Sequence, residues 1–105
     1  MITSGEGKTR VWLKKEKIED DLLIIVGGGE KTHIGNVVMS APGHKTQILK
    51  YDNHKDYVVL EPIAKKVCEK YKKVVVVVGG IHIENASKKD IELIIKNCEY
   101  LIEKV

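Results

Sequence analysis

Residues 73–90 read KVVVVVGGIHIENASKKD, and this stretch decides the fold. Five consecutive valines at residues 74–78 are β-branched and apolar. A run of this kind is typical of a strand that is buried on both faces near the centre of a sheet. Because Gly79 and Gly80 follow directly, we expect the strand to end there in a glycine-opened loop.

The loop and the residues after it carry polar groups. His82 stands between two isoleucines and is the ionisable ring that the loop presents. Ser87, with Asp90 three residues later, is typical of a helix N-cap with an acidic first turn. We therefore expect any binding chemistry at the carboxyl end of the valine strand.

Four segments before the valine run have the pattern of strands. They alternate in polarity or are continuously apolar, and glycine, proline or acidic residues separate them. They are residues 9–17, 22–26, 34–41 and 46–51. Because their connections are short, they predict an antiparallel meander.

The hydrophobic period then changes to that of a helix. Residues 58–71 predict a first helix with Asp56 as its N-cap. Pro62 fits only within a first turn, so a helix start as late as Leu60 stays open. A second helix runs from Ser87 to the C-terminus, with an apolar stripe at Ile91, Ile94, Ile95, Cys98, Leu101 and Ile102.

The predicted fold class is therefore α+β, with the order β-β-β-β-α-β-α and two helices packed on one sheet. We expect residues 1–105 to form a single domain. In this arrangement the fourth strand and the valine strand are parallel neighbours. The loops that carry His33, His54 and His82 then meet at one end of the sheet, and His44 lies at the other.

Composition excludes several classes of function. Arg10 is the only arginine among 18 basic residues, and the net charge is only +3. Specific nucleic-acid recognition usually recruits arginine, so we expect no nucleic-acid partner. No signal peptide or membrane span is indicated, and we expect a cytoplasmic protein without a membrane partner.

The cysteines and histidines give no strong metal signal. Cys68 and Cys98 are 30 residues apart in helical segments, which favours two buried reduced thiols; a disulfide between the helices stays open. Imidazoles at separate loop tips can converge on zinc. However, the four histidines have no short ligand spacing, so we expect no metal.

Three short segments resemble the LpdD-like family: THIG at residues 32–35, NHKD at 53–56 and GIHIENA at 80–86. The resemblance runs from about Leu22 to the C-terminus. The family is named for the small accessory subunit of gallate-type decarboxylases, enzymes that use prenylated flavin mononucleotide. The resemblance implies a non-catalytic helper, a chaperone for that cofactor or for its enzyme, with the large decarboxylase subunit as its partner.

The resemblance also implies where the cofactor, prenylated flavin mononucleotide, would bind. Separately, the residues themselves suggest a phosphate site, because glycine loops and helix N-termini present N–H groups to anions. The predicted cofactor-binding residues are His33, Gly35, His54, Lys55, Gly80, His82, Glu84 and Asn85, none of them catalytic.

Two other functions remain open. The first is a small enzyme that uses His33, His54 and His82 for acid–base or metal chemistry. The second is a dimeric scaffold like other small assembly chaperones, and a homodimer is expected in the accessory role as well.

Overall fold

A computed structural model describes residues 1–51 and 56–105. Strands β1 to β5 come first, followed by helix α1, strand β6 and helix α2, and a short 3-10 helix, Gly7–Thr9, lies between β1 and β2. The bounds are β1 Ile2–Ser4, β2 Val11–Ile18, β3 Asp21–Gly28, β4 Lys31–Ser40, β5 Gln47–Lys50, α1 Tyr57–Tyr71, β6 Val75–His82 and α2 Lys88–Lys104. The predicted α+β class, with two helices on one sheet, is confirmed.

The described strands form one mixed sheet in the order β1-β2-β3-β6-β4-β5. The predicted continuous meander is wrong, because β6 is inserted between β3 and β4. It pairs parallel with β3 and antiparallel with β4, and it is not a neighbour of β5 as predicted. The central place gives the valine strand an apolar neighbour on each side, which an edge beside the short β5 would not provide.

The first strand was not predicted from the sequence. Ile2–Ser4 pairs antiparallel with β2 at the edge of the sheet. At three residues, it is too short for a polarity pattern to show. It forms because β2 offers a free edge and because Ile2 packs against the core.

The core lies between the helices and one face of the sheet. Leu22, Ile24, Val75 and Val77 point into it and are at most 6% exposed. Val76 and Val78 alternate with them and point to the opposite face, which we call the open face, and both are only half-buried. The expectation that the valine strand is buried on both faces is therefore wrong for the single chain.

Helix α1 begins earlier than its proline suggested. It starts at Tyr57, so Pro62 lies in its second turn rather than its first. The missing N–H leaves the Val58 carbonyl without an intrahelical donor, at a residue that is 52% exposed. The helix tolerates this cost because Leu60, Ile63 and other residues of its inner face are fully buried.

Helix α2 and the cysteines complete the core. Ile94, Cys98 and Leu101 of α2 are buried. Cys68 and Cys98 are both buried and free, so the described structure contains reduced thiols rather than a disulfide. Among the described residues, no helix is long and apolar enough to cross a membrane.

Candidate functional site

We call the end of the sheet where β3 and β6 finish the upper end. Strand β4 begins at this end, and both helices start here. The rings of His33 and His82 lie here with their centroids 6.1 Å apart and their planes at 87°. His44 follows β4 at the lower end. His54 and Lys55 lie outside the described residues.

The His33 ring sits where two glycines leave room for it. Strand β4 is irregular between Thr32 and Asn36, and His33 and Gly35 fall within that irregularity. A Cβ on Gly80 would lie 2.9 Å from Nε2 of His33, and one on Gly35 would overlap the Asp56 carboxylate. Side chains at either position would push the imidazole or the carboxylate away.

Asp56 is part of the site rather than a side-chain cap. Its backbone has helical angles, and its side chain makes no capping bond to α1. Instead, Oδ1 accepts a hydrogen bond from the Ile81 N–H at 3.0 Å, and Oδ2 lies 3.8 Å from Nε2 of His33. Buried Asn36 takes over at the helix start, where its Oδ1 accepts from the Tyr57 N–H at 2.7 Å.

His82 ends strand β6, so Gly79 and Gly80 belong to the strand rather than to the predicted loop. Its Nε2 lies 3.2 Å from Oε2 of Glu84. Both side chains are largely in solvent, with exposures of 50% and 76%, so this pair contributes little to stability.

Glu30 holds the segment that follows His82. Its N–H donates to the His82 carbonyl at 2.8 Å, and its Oε1 accepts from the Glu84 N–H at 2.8 Å. Asn85 then turns the chain with φ 51°, a left-handed angle that asparagine tolerates. Glu30 was not predictable from the sequence, because a single acidic residue beside a glycine run forms no pattern.

The N-terminus of α2 is closed by its own side chains. Ser87 Oγ accepts from the Asp90 N–H at 3.1 Å, and Asp90 Oδ2 accepts from the Ser87 N–H at 3.0 Å, which confirms the predicted cap. The backbone hydrogen bond from Ser87 lowers the pKa of Asp90, and Lys8, 3.2 Å away, lowers it further. A fixed negative charge at this helix start makes it a poor phosphate site.

The glycines at residues 27–29 are also already engaged. The Gly28 N–H donates to Thr32 Oγ1 at 3.0 Å, and the Gly29 N–H donates to the Arg10 carbonyl at 2.9 Å. Gly27 lies under the Trp12 indole, which a Cβ would overlap. These glycines therefore serve close strand packing, and the Gly28 and Gly29 amides do not face a phosphate.

A cavity of about 500 Å³, which we call the upper pocket, lies between the two helices and the end of β6. Its polar wall contains His33, His82 and Asp56. Its apolar wall comes mainly from α1, α2 and the residues around His82: Val58, Val59, Ile81, Ile83, Ala86, Ile91, Ile94 and Ile95. Of these residues, the sequence placed Ile91, Ile94 and Ile95 on the apolar stripe of the second helix. Val58 and Ile91 are about half exposed, at 52% and 50%.

The arrangement suits binding of a small molecule that has an apolar and a polar part. The volume is in the range of small-molecule sites, which are mostly apolar with a few polar groups. His33 and His82 can donate or accept hydrogen bonds there. Among the described residues, no group of three or more His, Cys, Asp or Glu side chains could hold a metal ion.

Comparisons with known proteins agree with this architecture. The prenylated flavin chaperone LpdD-like domain matches residues 5–105. No curated protein sequence matches the chain. A chain from the crystal structure of a novel chaperone complex for yeast 20S proteasome assembly has a similar fold, with a TM-score of 0.58 at 14% identity over 98% of this chain and 88% of that one.

Proposed function

The chain belongs to the prenylated flavin chaperone LpdD-like family, and from this premise we propose that it is a non-catalytic helper of a decarboxylase that depends on prenylated flavin mononucleotide. The observation that carries the proposal is the upper pocket, where an isoleucine-rich wall faces His33 and His82. A pocket with this division suits a ligand that combines an apolar substituent with polar ring atoms and a phosphate.

The apolar wall of the pocket supports binding of the apolar part of the cofactor. Ile83, Ile94 and Ile95 can cover the prenyl group and the edge of the flavin ring, which removes apolar surface from water. The flavin supplies the chemistry of the decarboxylase, and the residues of this chain supply only binding.

The polar part of the cofactor would face the imidazoles. Asp56 and Asp90 place carboxylates beside the starts of α1 and α2, and these would repel a phosphate. We therefore assign the phosphate to the outer side of the pocket near His82, which is half-exposed. A charged imidazole pairs well with a phosphate. His54 and Lys55 remain predicted contacts from their place in the sequence, directly before Asp56.

Gly35, Gly80, Glu84 and Asn85 are assigned supporting roles. The two glycines make room for His33 and Asp56, and Glu84 contacts the His82 ring. Asn85 shapes the turn after it. None of the four is proposed to contact the flavin strongly.

The partner in this proposal is the large decarboxylase subunit, to which a helper would deliver or protect the cofactor. We also propose that the chain acts as a homodimer in the cytoplasm. The open pocket and half-exposed His82 support delivery, because a ligand at the surface can be passed on without unfolding of the helper.

Calorimetric titration with flavin mononucleotide, with and without the prenyl group, tests the proposal. We expect weak binding that is tighter for the prenylated form and weaker in high salt. His82→Ala should reduce affinity roughly tenfold, which corresponds to about 1.4 kcal/mol for a lost hydrogen bond. His44→Ala is the matched control, since His44 lies at the lower end of the sheet.

Two results would overturn this assignment. Equal affinities for His82→Ala and His44→Ala would remove the pocket from the proposal. If neither flavin binds, cofactor holding is wrong, and only contact with the large subunit would remain, to be tested by co-purification.

One observation favours a second candidate, the small enzyme. An imidazole beside a carboxylate, as in His33 and Asp56, is the arrangement that general bases use. Turnover by the purified chain that is lost in His33→Gln but kept in His44→Gln would support this candidate over the helper role.

A further inference from the structure

The open face of the sheet is apolar across its four adjacent strands β3, β6, β4 and β5. Alternate residues of each strand point to this face, away from both helices. They are Leu23 and Ile25 of β3, Val76 and Val78 of β6, Val37 and Met39 of β4, and Leu49 of β5. All are half-buried or exposed in the single chain.

The strand register joins these side chains into rows. Val76 pairs with Leu23 on one side and with Met39 on the other. Val78 pairs with Ile25 and Val37, and Val37 in turn pairs with Leu49. Two neighbouring rows of apolar side chains therefore cross the middle of the sheet, and Met39 and Leu49 are 45% and 71% exposed.

We propose that this open face is the contact surface between two copies of the chain, which stack sheet on sheet into a homodimer. Valines on both sides of a strand are typical of burial on both faces, and the helices bury only one face. Two such sheets would pack about 10 Å apart with interdigitated side chains.

The area of the face is sufficient for a dimer. The five strands that follow one another in the sheet as β2, β3, β6, β4 and β5 are about 4.8 Å apart and on average about 26 Å long, which gives a projected area of roughly 600 Å². Specific interfaces bury about 800 Å² on each partner. Because side chains make the accessible area larger than the projected area, contact over most of this face reaches that size.

The charges at the border fit a second copy better than a charged partner. Beside the apolar rows, Lys14 pairs across from Ile25 and Glu16 pairs across from Leu23, and Lys14 Nζ lies 3.3 Å from Glu16 Oε1. At the other border stands uncharged Gln47, opposite Met39. The border on β2 carries a positive and a negative charge together, and the border on β5 carries none. Two copies can therefore meet without repulsion between like charges.

Trp12 provides a spectroscopic reporter at this surface. It lies over Gly27 on the open face, which it shares with Lys14 two residues further along β2. It is the only tryptophan in the chain. Dimerisation should move its environment away from water, so its emission should shift to longer wavelength when the protein is diluted into monomers.

Sedimentation equilibrium over a range of concentrations tests the proposal without any flavin, so its outcome is independent of the pocket. We expect twice the chain mass for the wild type. Val78→Glu should raise the dissociation constant at least about 100-fold, since it buries a charge in the centre of the interface. Leu93→Glu, on α2 and away from the open face, is the control and should stay dimeric.

Leu49→Glu covers the case in which Val78→Glu does not fold. Leu49 is 71% exposed in the single chain, so its replacement should leave the fold intact and still weaken the dimer. A wild type that is monomeric at every concentration would overturn the proposal. A dimer that persists in both variants would overturn it as well, and so would a monomer that uses this face only to bind the decarboxylase subunit.

Discussion

Nε2 of His33 lies 3.8 Å from Oδ2 of Asp56, and the second oxygen of that carboxylate accepts the Ile81 N–H. One carboxylate therefore links the irregular part of β4, the start of α1 and the end of β6. Asp56 is only 11% exposed at its side chain, so the link is shielded from water. His33, Asp56 and Ile81 all line the upper pocket.

Two replacements of Asp56 should separate the contribution of its charge to stability from that of its hydrogen bond. In Asp56→Ala the Ile81 N–H loses its acceptor, and we expect a loss of about 1–3 kcal/mol in the free energy of unfolding. Asp56→Asn keeps an acceptor oxygen and should lose less. Urea unfolding measures both, with Asp20→Asn as the control, because the Asp20 side chain is 99% exposed. Equal stability of Asp56→Ala and wild type would contradict the link.

The sequence predicted the elements of the fold better than their arrangement. The hydrophobic periods predicted every strand and helix from β2 onward, and Ser87 with Asp90 predicted the cap of α2, because these are local features. The insertion of β6 between β3 and β4 is a long-range choice among apolar strands, and several orders satisfy the same periods. Short connections favour a meander, but in the structure the burial of the valine strand between β3 and β4 outweighs that preference.

The site was predictable only in outline. The direction of each strand already brings His33 and His82 to the same end of the sheet. This direction can be predicted without knowing which strands are neighbours. The roles of Asp56 and Glu30 depend on side-chain contacts between loops far apart in sequence. A helix-start aspartate is normally a cap, and only the geometry shows that Asn36 does this work for α1.

Gly79 should be the least replaceable glycine of the valine strand. Its φ is 144°, and a Cβ there would overlap the carbonyl oxygen of Val26 on the neighbouring strand. We expect Gly79→Ala to cost more than about 3 kcal/mol. Gly43→Ala is the matched control. Its φ is 75° but nothing lies within 4 Å, so only backbone strain of about 1–2 kcal/mol applies. Thermal unfolding of the two variants compares these costs, and similar melting temperatures would argue against close packing at Gly79.

The Asp90 cap predicts a loss of stability in acid. The pKa of this carboxyl is lowered from its ordinary value of 3.8, first by the hydrogen bond from the Ser87 N–H. A lowered pKa means that the charged form stabilises the fold above that ordinary value, and that this contribution disappears as the pH falls through the lower, folded value. The stability difference between wild type and Asp90→Asn should therefore be constant near neutral pH and shrink below about pH 4. Urea unfolding at a series of pH values measures it; a difference that grows in acid would have the wrong sign.

Cys98 should be unreactive in the folded protein. Burial raises its pKa to about 12, with a smaller contribution from Glu99, so the thiol stays protonated at neutral pH. Since the thiolate is the nucleophile, we expect negligible reaction with an aromatic disulfide reagent at pH 8 until the chain is unfolded. Cys68→Ser isolates this thiol for the measurement. Rapid stoichiometric labelling of the native variant would show that α2 opens readily or packs differently.

The two faces of the valine strand should respond differently to a buried charge. If the valine strand were buried on both faces, as the sequence predicts, Val76→Asp would cost several kcal/mol. The structure assigns that cost to Val77 instead, which is fully buried against the helices. We expect Val77→Asp to lose more than about 4 kcal/mol, because its unpaired charge lies in the core of each chain. Val76 faces the open side, so Val76→Asp should leave a folded chain whose stability no longer rises with protein concentration, as that of a dimer does. Urea unfolding of wild type and both variants, at several protein concentrations, separates the two effects. Equal losses for Val76→Asp and Val77→Asp that do not depend on concentration would show that both faces are buried within a single chain.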